Sequence, residues 1–106
     1  MRSIIFSNGE EVEITETSNH NDLAIRCSTF DDAVDVAKQY SAYDWDSFTI
    51  KRVELRDTKE FPYSGFTLDH YTVGNDEAGF FAKFNPRKMT DEELYRTAFG
   101  ILLEGE

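Results

Sequence analysis

Apolar and polar positions alternate from the first residues. Ile4, Ile5 and Phe6 run into Asn8 and Gly9, after which Val12 and Ile14 interleave with Glu11 and Glu13. An Asn-Gly pair flanked by apolar runs is a strong hairpin signal, so strands are predicted at about 2–7 and 11–17. Leu23, Ile25 and Cys27 share one face of a third strand, with Cys27 pointing inward. Thr29 then reads as an N-cap, with Asp31 and Asp32 in the first turn and Lys38 in the last, where the helix dipole favours each charge. Phe30, Ala33, Val34, Ala37 and Tyr40 follow the three-and-four spacing of a buried helical stripe.

The second half repeats the plan. Phe48 and Ile50 alternate across 47–56, and Val53 and Leu55 continue in the opposite phase, a shift that predicts a bulge or a strand covered on both faces. Two further strands, at about 65–73 and 78–85, flank Gly74, Asn75, Asp76 and Glu77, which read as a hairpin turn. Pro86 and the Thr90/Glu93 capping-box pair introduce a second helix with a broad apolar face of Leu94, Tyr95, Ala98, Phe99, Ile101 and Leu102, expected to dock on the sheet. The expected fold is a single α+β domain over residues 1–106, a mainly antiparallel sheet of about six strands with two helices in the order βββαβββα.

Charge sharpens the picture. The chain of 106 residues has a net charge of −10, and the excess is uneven. Residues 1–46 carry ten acids against three bases, residues 47–90 six against seven, and the remainder five against one. A pI near 4.5 disfavours direct nucleic-acid binding, which needs clustered Lys and Arg. Lys51, Arg52, Arg56 and Lys59 are the nearest approach to such a cluster, and Glu54, Asp57 and Glu60 interrupt them. With 14% aromatics the acids belong on a folded surface rather than a disordered tail. The lone Cys27 allows no internal disulfide or thiolate cluster, and no leader or long apolar span is evident, so a soluble protein of the bacterial cytoplasm is expected, without membrane contact.

Catalytic and cofactor motifs are not evident. His20 and His70 are far apart, and Asp69 and His70, as neighbours on a strand, should face opposite ways and form no dyad. Cys27, without a local base, reads as a packed thiol. Asp44 and Asp46 have the alternate spacing of some calcium loops, but the other ligands and the central glycine are missing. No catalytic, metal or cofactor site is expected.

What stands out is aromatics set among acids at positions read as loops: Tyr40, Tyr43, Asp44, Trp45 and Asp46, then Phe61, Pro62, Tyr63, Ser64 and Gly65. Tyr and Trp dominate many interfaces, although for Trp45 a plug at the end of the core is the favoured reading, because large aromatics are usually mostly buried. Acids in the first turns of helices have a local reason to be there, which leaves the hairpin glutamates and loop aspartates to explain. The expected partner-binding residues are therefore Tyr43, Asp44, Trp45, Asp46, Glu10, Glu11, Glu13 and Tyr63.

The run Ile4-Ile5-Phe6-Ser7-Asn8-Gly9-Glu10-Glu11-Val12, followed by Ser28-Thr29-Phe30-Asp31-Asp32, Tyr63-Ser64-Gly65-Phe66 and an acidic C-terminal helix, resembles small prophage-encoded proteins of Gram-positive gut bacteria, some encoded near tail genes. The resemblance implies a phage or mobile-element origin, with virion association open. Taken together, the expectation is a non-enzymatic acidic interaction module that docks on a basic surface of a host protein, as inhibitors and DNA mimics do. The alternatives are a structural component of a phage tail or baseplate, and a small enzyme or sugar-binding module; the last would need a concave pocket holding His70 or His20 near carboxylates.

Overall fold

A computed structural model describes residues 1–95. The elements are β1 (Arg2–Phe6), β2 (Glu11–Ile14), β3 (Leu23–Cys27), α1 (Phe30–Ser41), β4 (Ser47–Glu54), β5 (Asp57–Ser64), β6 (Phe66–Asp76) and β7 (Gly79–Lys88), and a second helix, α2, opens at Asp91. The class is α+β, as expected, but seven strands replace the expected six, in two antiparallel sheets. Sheet I has the order β2-β1-β4-β5 and sheet II the order β3-β7-β6.

Register follows the apolar rows. In sheet I, Ile4 pairs with Val12 and Ile50, Ile50 with Phe61, and Phe48 with Phe6 and Tyr63. In sheet II, Phe84 lies between Leu23 and Tyr71, and Ala82 between Ile25 and Val73. These inner faces join one cluster built around Ile4, Phe6, Leu23, Phe48, Ile50 and Phe84. α1 packs on sheet II. Its cap is as predicted, Thr29 Oγ1 accepting from the Asp32 N–H at 3.1 Å. Its buried face is narrower than the predicted stripe: Ala33 and Ala37 are buried and Val36 and Tyr40 pack beside them, whereas Phe30 is exposed at the first helical position and only its ring edge meets Phe80. The Thr90/Glu93 capping box forms reciprocally, at 2.9 and 3.2 Å, and the later apolar positions Ala98, Phe99, Ile101 and Leu102 lie outside the described residues.

Three departures have local causes. Residues 57–64 form β5, although 61–65 read as a loop. This edge strand has almost no buried side chain, only Phe61 and Tyr63 alternate toward the core, and Pro62 between them is tolerated in a sheet only at an edge or a bulge. The phase shift in β4 marks neither a bulge nor double burial. Its pairing is regular on both sides, but the β4–β5 hairpin runs beyond the core: Val53 turns to the outer face, and Leu55 sits fully exposed in the turn between Glu54 and Asp57. Gly74 belongs to β6 rather than to a turn, and the reversal is the two-residue Glu77–Ala78 link. A Cβ on Gly74 would approach the Phe81 ring to 2.8 Å, so this glycine serves close packing.

The sheets meet at two corners. On one side the Thr15 N–H donates to the Ala24 carbonyl at 3.0 Å, and on the other Gly65 alone separates β5 from β6. Gly65 has φ +75°, a left-handed conformation that lets the chain leave one sheet and enter the other in a single residue. Among the described residues a Cβ there would meet only Leu94 Cδ2, at an ordinary contact distance of 3.5 Å, so the cost of a side chain is conformational. Gly65→Ala should lower unfolding free energy by about 1–2 kcal/mol, measurable as a reduced urea midpoint with unchanged slope.

Candidate functional site

The end of α1, the loop after it and the start of β6 enclose a cleft of about 660 Å³. Tyr43, Asp44, Trp45 and Asp46 line one wall, and Leu68, Asp69, His70 and Tyr71 line the other.

Trp45 builds the first wall. The indole is only 4% exposed, stacks on Phe84 at 5.5 Å, and meets Phe6 and Phe48 edge-on at 5.1 and 5.8 Å. Its Nε1–H donates to the Tyr40 carbonyl at 2.9 Å, occupying one of the acceptors that a helix end leaves open. Trp45 is therefore a core plug, which removes it from the expected exposed contact patch. With the Trp45 side chain turned inward, its neighbours Asp44 and Asp46 are left exposed. Asp44 Oδ1 also accepts from the Asp46 N–H at 2.9 Å, an Asx turn that fixes the loop. Tyr43 is half-buried between the Phe6 and Tyr40 rings, and its hydroxyl donates to Glu10 Oε2 at 2.5 Å.

The second wall corrects an expectation. Register shifts between Leu68 and His70, so Asp69 is an extra residue in β6. Strict alternation would point Asp69 and His70 to opposite faces; with the bulge, Asp69 Oδ2 lies 2.8 Å from His70 Nδ1. Leu68 and Tyr71 both pack on the core side, against the buried cluster and Phe84 respectively, although they are three residues apart. An odd spacing between two core-facing residues of one strand is the sequence signal that would have revealed the bulge.

The remaining expected residues scatter. Glu11 and Glu13 lie on the outer face of sheet I, where Glu11 accepts from Ser3 Oγ at 2.7 Å and pairs with Lys51 at 3.5 Å. The Ser3 hydroxyl is the main cause of the lowered pKa of Glu11. Glu10 parts from them by bonding Tyr43, so it joins the cleft end of the molecule instead of the outer face. Tyr63 lies on β5 between the His20 ring at 4.6 Å and Phe48 at 5.5 Å, in a separate aromatic row.

Arg87 braces the cleft from behind. Its Nε donates to Asp69 Oδ1 at 3.1 Å, and its two terminal nitrogens grip Glu93 at 2.8 and 3.0 Å, a bidentate fork that ties β7 to the first turn of α2. The His70 bond and then Arg87 hold the Asp69 pKa below the usual carboxylate range. Arg87 and then the Thr90 N–H bring Glu93 down to about 2.

Chemically, the cleft offers carboxylates, an imidazole and phenol rings, a combination suited to a cationic side chain or a polyhydroxyl ligand. Of the hydroxyls on its walls, that of Ser41 is turned to the Lys38 carbonyl at 3.0 Å. Cys27 lies elsewhere, and burial raises its pKa, disfavouring the thiolate. Among the described residues, no three of His, Cys, Asp and Glu gather as a metal ion would require, and no helix is long and apolar enough to cross a membrane. No protein-family model, curated protein or solved structure matches the chain.

The Arg87 fork has a pH consequence. A carboxylate whose pKa is depressed by folding stabilises the native state above its unfolded pKa, and that contribution is lost as pH falls through the folded value. For Glu93 the window runs from about 4.3, the unfolded value, to about 2. Acid titration followed by NMR should show the Glu93 carboxyl shifting at the bottom of that window. In Glu93→Gln this site's contribution to the acid-induced loss of stability should vanish.

Proposed function

We propose that this protein is a non-enzymatic interaction module of phage or mobile-element origin that docks on a basic surface of a host protein, with the Asp44–Asp46 loop and its cleft as the contact. The supporting observation is the arrangement of this loop. Trp45 is anchored in the core, and Asp44 and Asp46 stand exposed at the cleft, neither in an ion pair among the described residues. Preset carboxylates beside aromatic rings suit Lys and Arg, because the charge is met at once and the rings accept the cation's apolar face.

Other acids are already occupied. Glu11 pairs with Lys51, Asp22 with Lys83, Asp76 with Arg26, and Asp69 and Glu93 with Arg87. Their charge is compensated within the molecule, so the proposal draws on the loop rather than on the overall excess.

The double variant Asp44→Lys/Asp46→Lys should weaken capture of the partner by roughly tenfold or more, with the unfolding midpoint unchanged. Capture from a lysate of the bacterial host at low and high salt, followed by titration of the captured protein, measures this. Capture that resists high salt, or that is indifferent to the double variant, removes the loop from the account.

The Asp69–His70 bond in the same cleft favours a second reading, a small sugar-binding module or enzyme. Sugar titrations followed at the His70 ring signals separate the two.

A further inference from the structure

Sheet I carries a local reversal of the acidic surface. Arg2 on β1 is the direct cross-strand partner of Arg52 on β4, and Arg52 is the partner of Lys59 on β5. Three cations therefore share one row, the next same-face row beyond Ile4, Ile50 and Phe61. Strand spacing makes this row roughly 10 Å long. Like charges directly opposite one another in a sheet are destabilising, and a chain with 21 acids has no carboxylate interleaved here: the row continues into Ile14 on β2.

The compensating carboxylates lie in the next same-face row, where Glu54 stands opposite Asp57. Arg52 has Glu54 at 3.5 Å. Arg2 Nη1 donates to the Ser18 carbonyl at 2.5 Å, which positions the guanidinium without neutralising it. Lys59 makes no ion pair among the described residues. Arg2 and Arg52 line a recess of about 210 Å³ with His20, Phe61 and Tyr63, and no carboxylate is among its described lining residues; Lys59 stands beside Arg52 in the row, outside that lining. Its aromatic shelf is ordered: His20 stacks on Tyr63 with ring planes 14° apart, and Phe61 is 38% exposed.

Two guanidinium groups and an ammonium match a small dianion, since Arg presents a donor fork to phosphate and Lys a point charge. The stacked rings offer a surface for a flat apolar carrier. The recess is too small for a folded partner, and a net charge of −10 repels a long polyanion while leaving short-range bonds to a small one intact. We propose that the Arg2–Arg52–Lys59 row and the His20–Tyr63 shelf bind the phosphomonoester of a small aromatic molecule, a nucleoside monophosphate being the simplest case. This site is separate from the Asp44–Asp46 cleft and does not rest on the function assigned to it.

Titration of the full chain with adenosine monophosphate, adenosine, inorganic phosphate and a single-stranded oligonucleotide, followed by NMR at the His20 and Tyr63 rings and by calorimetry, tests the site. Adenosine monophosphate should bind saturably and more tightly than phosphate or adenosine alone. Arg52→Gln and Lys59→Gln should each weaken it by roughly fivefold or more, with the unfolding midpoint retained. Absence of a saturable response at His20 and Tyr63, or affinity indifferent to both variants, overturns the proposal. Inorganic phosphate binding as tightly as the nucleotide overturns the aromatic carrier, and tighter binding of the oligonucleotide overturns the small-molecule class.

Discussion

The burial of Trp45 is the contact on which most of the molecule depends. One indole touches β1 through Phe6, β4 through Phe48 and β7 through Phe84, and its N–H closes the end of α1. It thus joins both sheets to the helix. Burying a side chain of this size is worth about 4–6 kcal/mol as an upper figure, comparable with the whole net stability of a small domain. The same burial gives the loop its chemistry, because a residue anchored in the core leaves its two neighbours with little freedom to move. The interior and the candidate contact surface share one structural cause.

Where apolar periodicity met burial, the fold was legible. The Asn8-Gly9 hairpin, the third strand, the Thr29 cap and the Thr90/Glu93 box all emerge from residue patterns, because each rests on interactions within a few positions. β5 was not legible, since Asp57–Glu60 is wholly polar and exposed and the short alternation of Phe61 and Tyr63 is interrupted by Pro62; what makes it a strand is the neighbouring β4. The split into two sheets was hidden for a related reason. It hinges on the backbone angle of Gly65, and a glycine before an aromatic reads equally well as a loop.

The site was half legible. Aspartates flanking a tryptophan singled out the 43–46 loop, which does line a cleft, but the opposite wall depended on the bulge at Asp69, which reverses the side-chain phase that simple alternation assigns. Glu10, grouped with its sequence neighbours Glu11 and Glu13, parts from them through a bond to Tyr43, 33 residues away. Net charge was the least informative guide. Many acids are spent on bases of the same chain, and the basic row of sheet I stays invisible until register sets Arg2, Arg52 and Lys59 side by side.

Pro62 sits on β5, the outermost strand of sheet I, amid Lys59 and Glu60. A proline supplies no N–H, and charged side chains along an open edge resist the approach of another strand. Sheet I therefore ends at β5 by chemistry as well as by topology: intermolecular strand addition, the usual route from an uncovered edge to aggregation, is discouraged there. At this edge a partner is left to meet the protein through its side chains and not by continuing its backbone ladder.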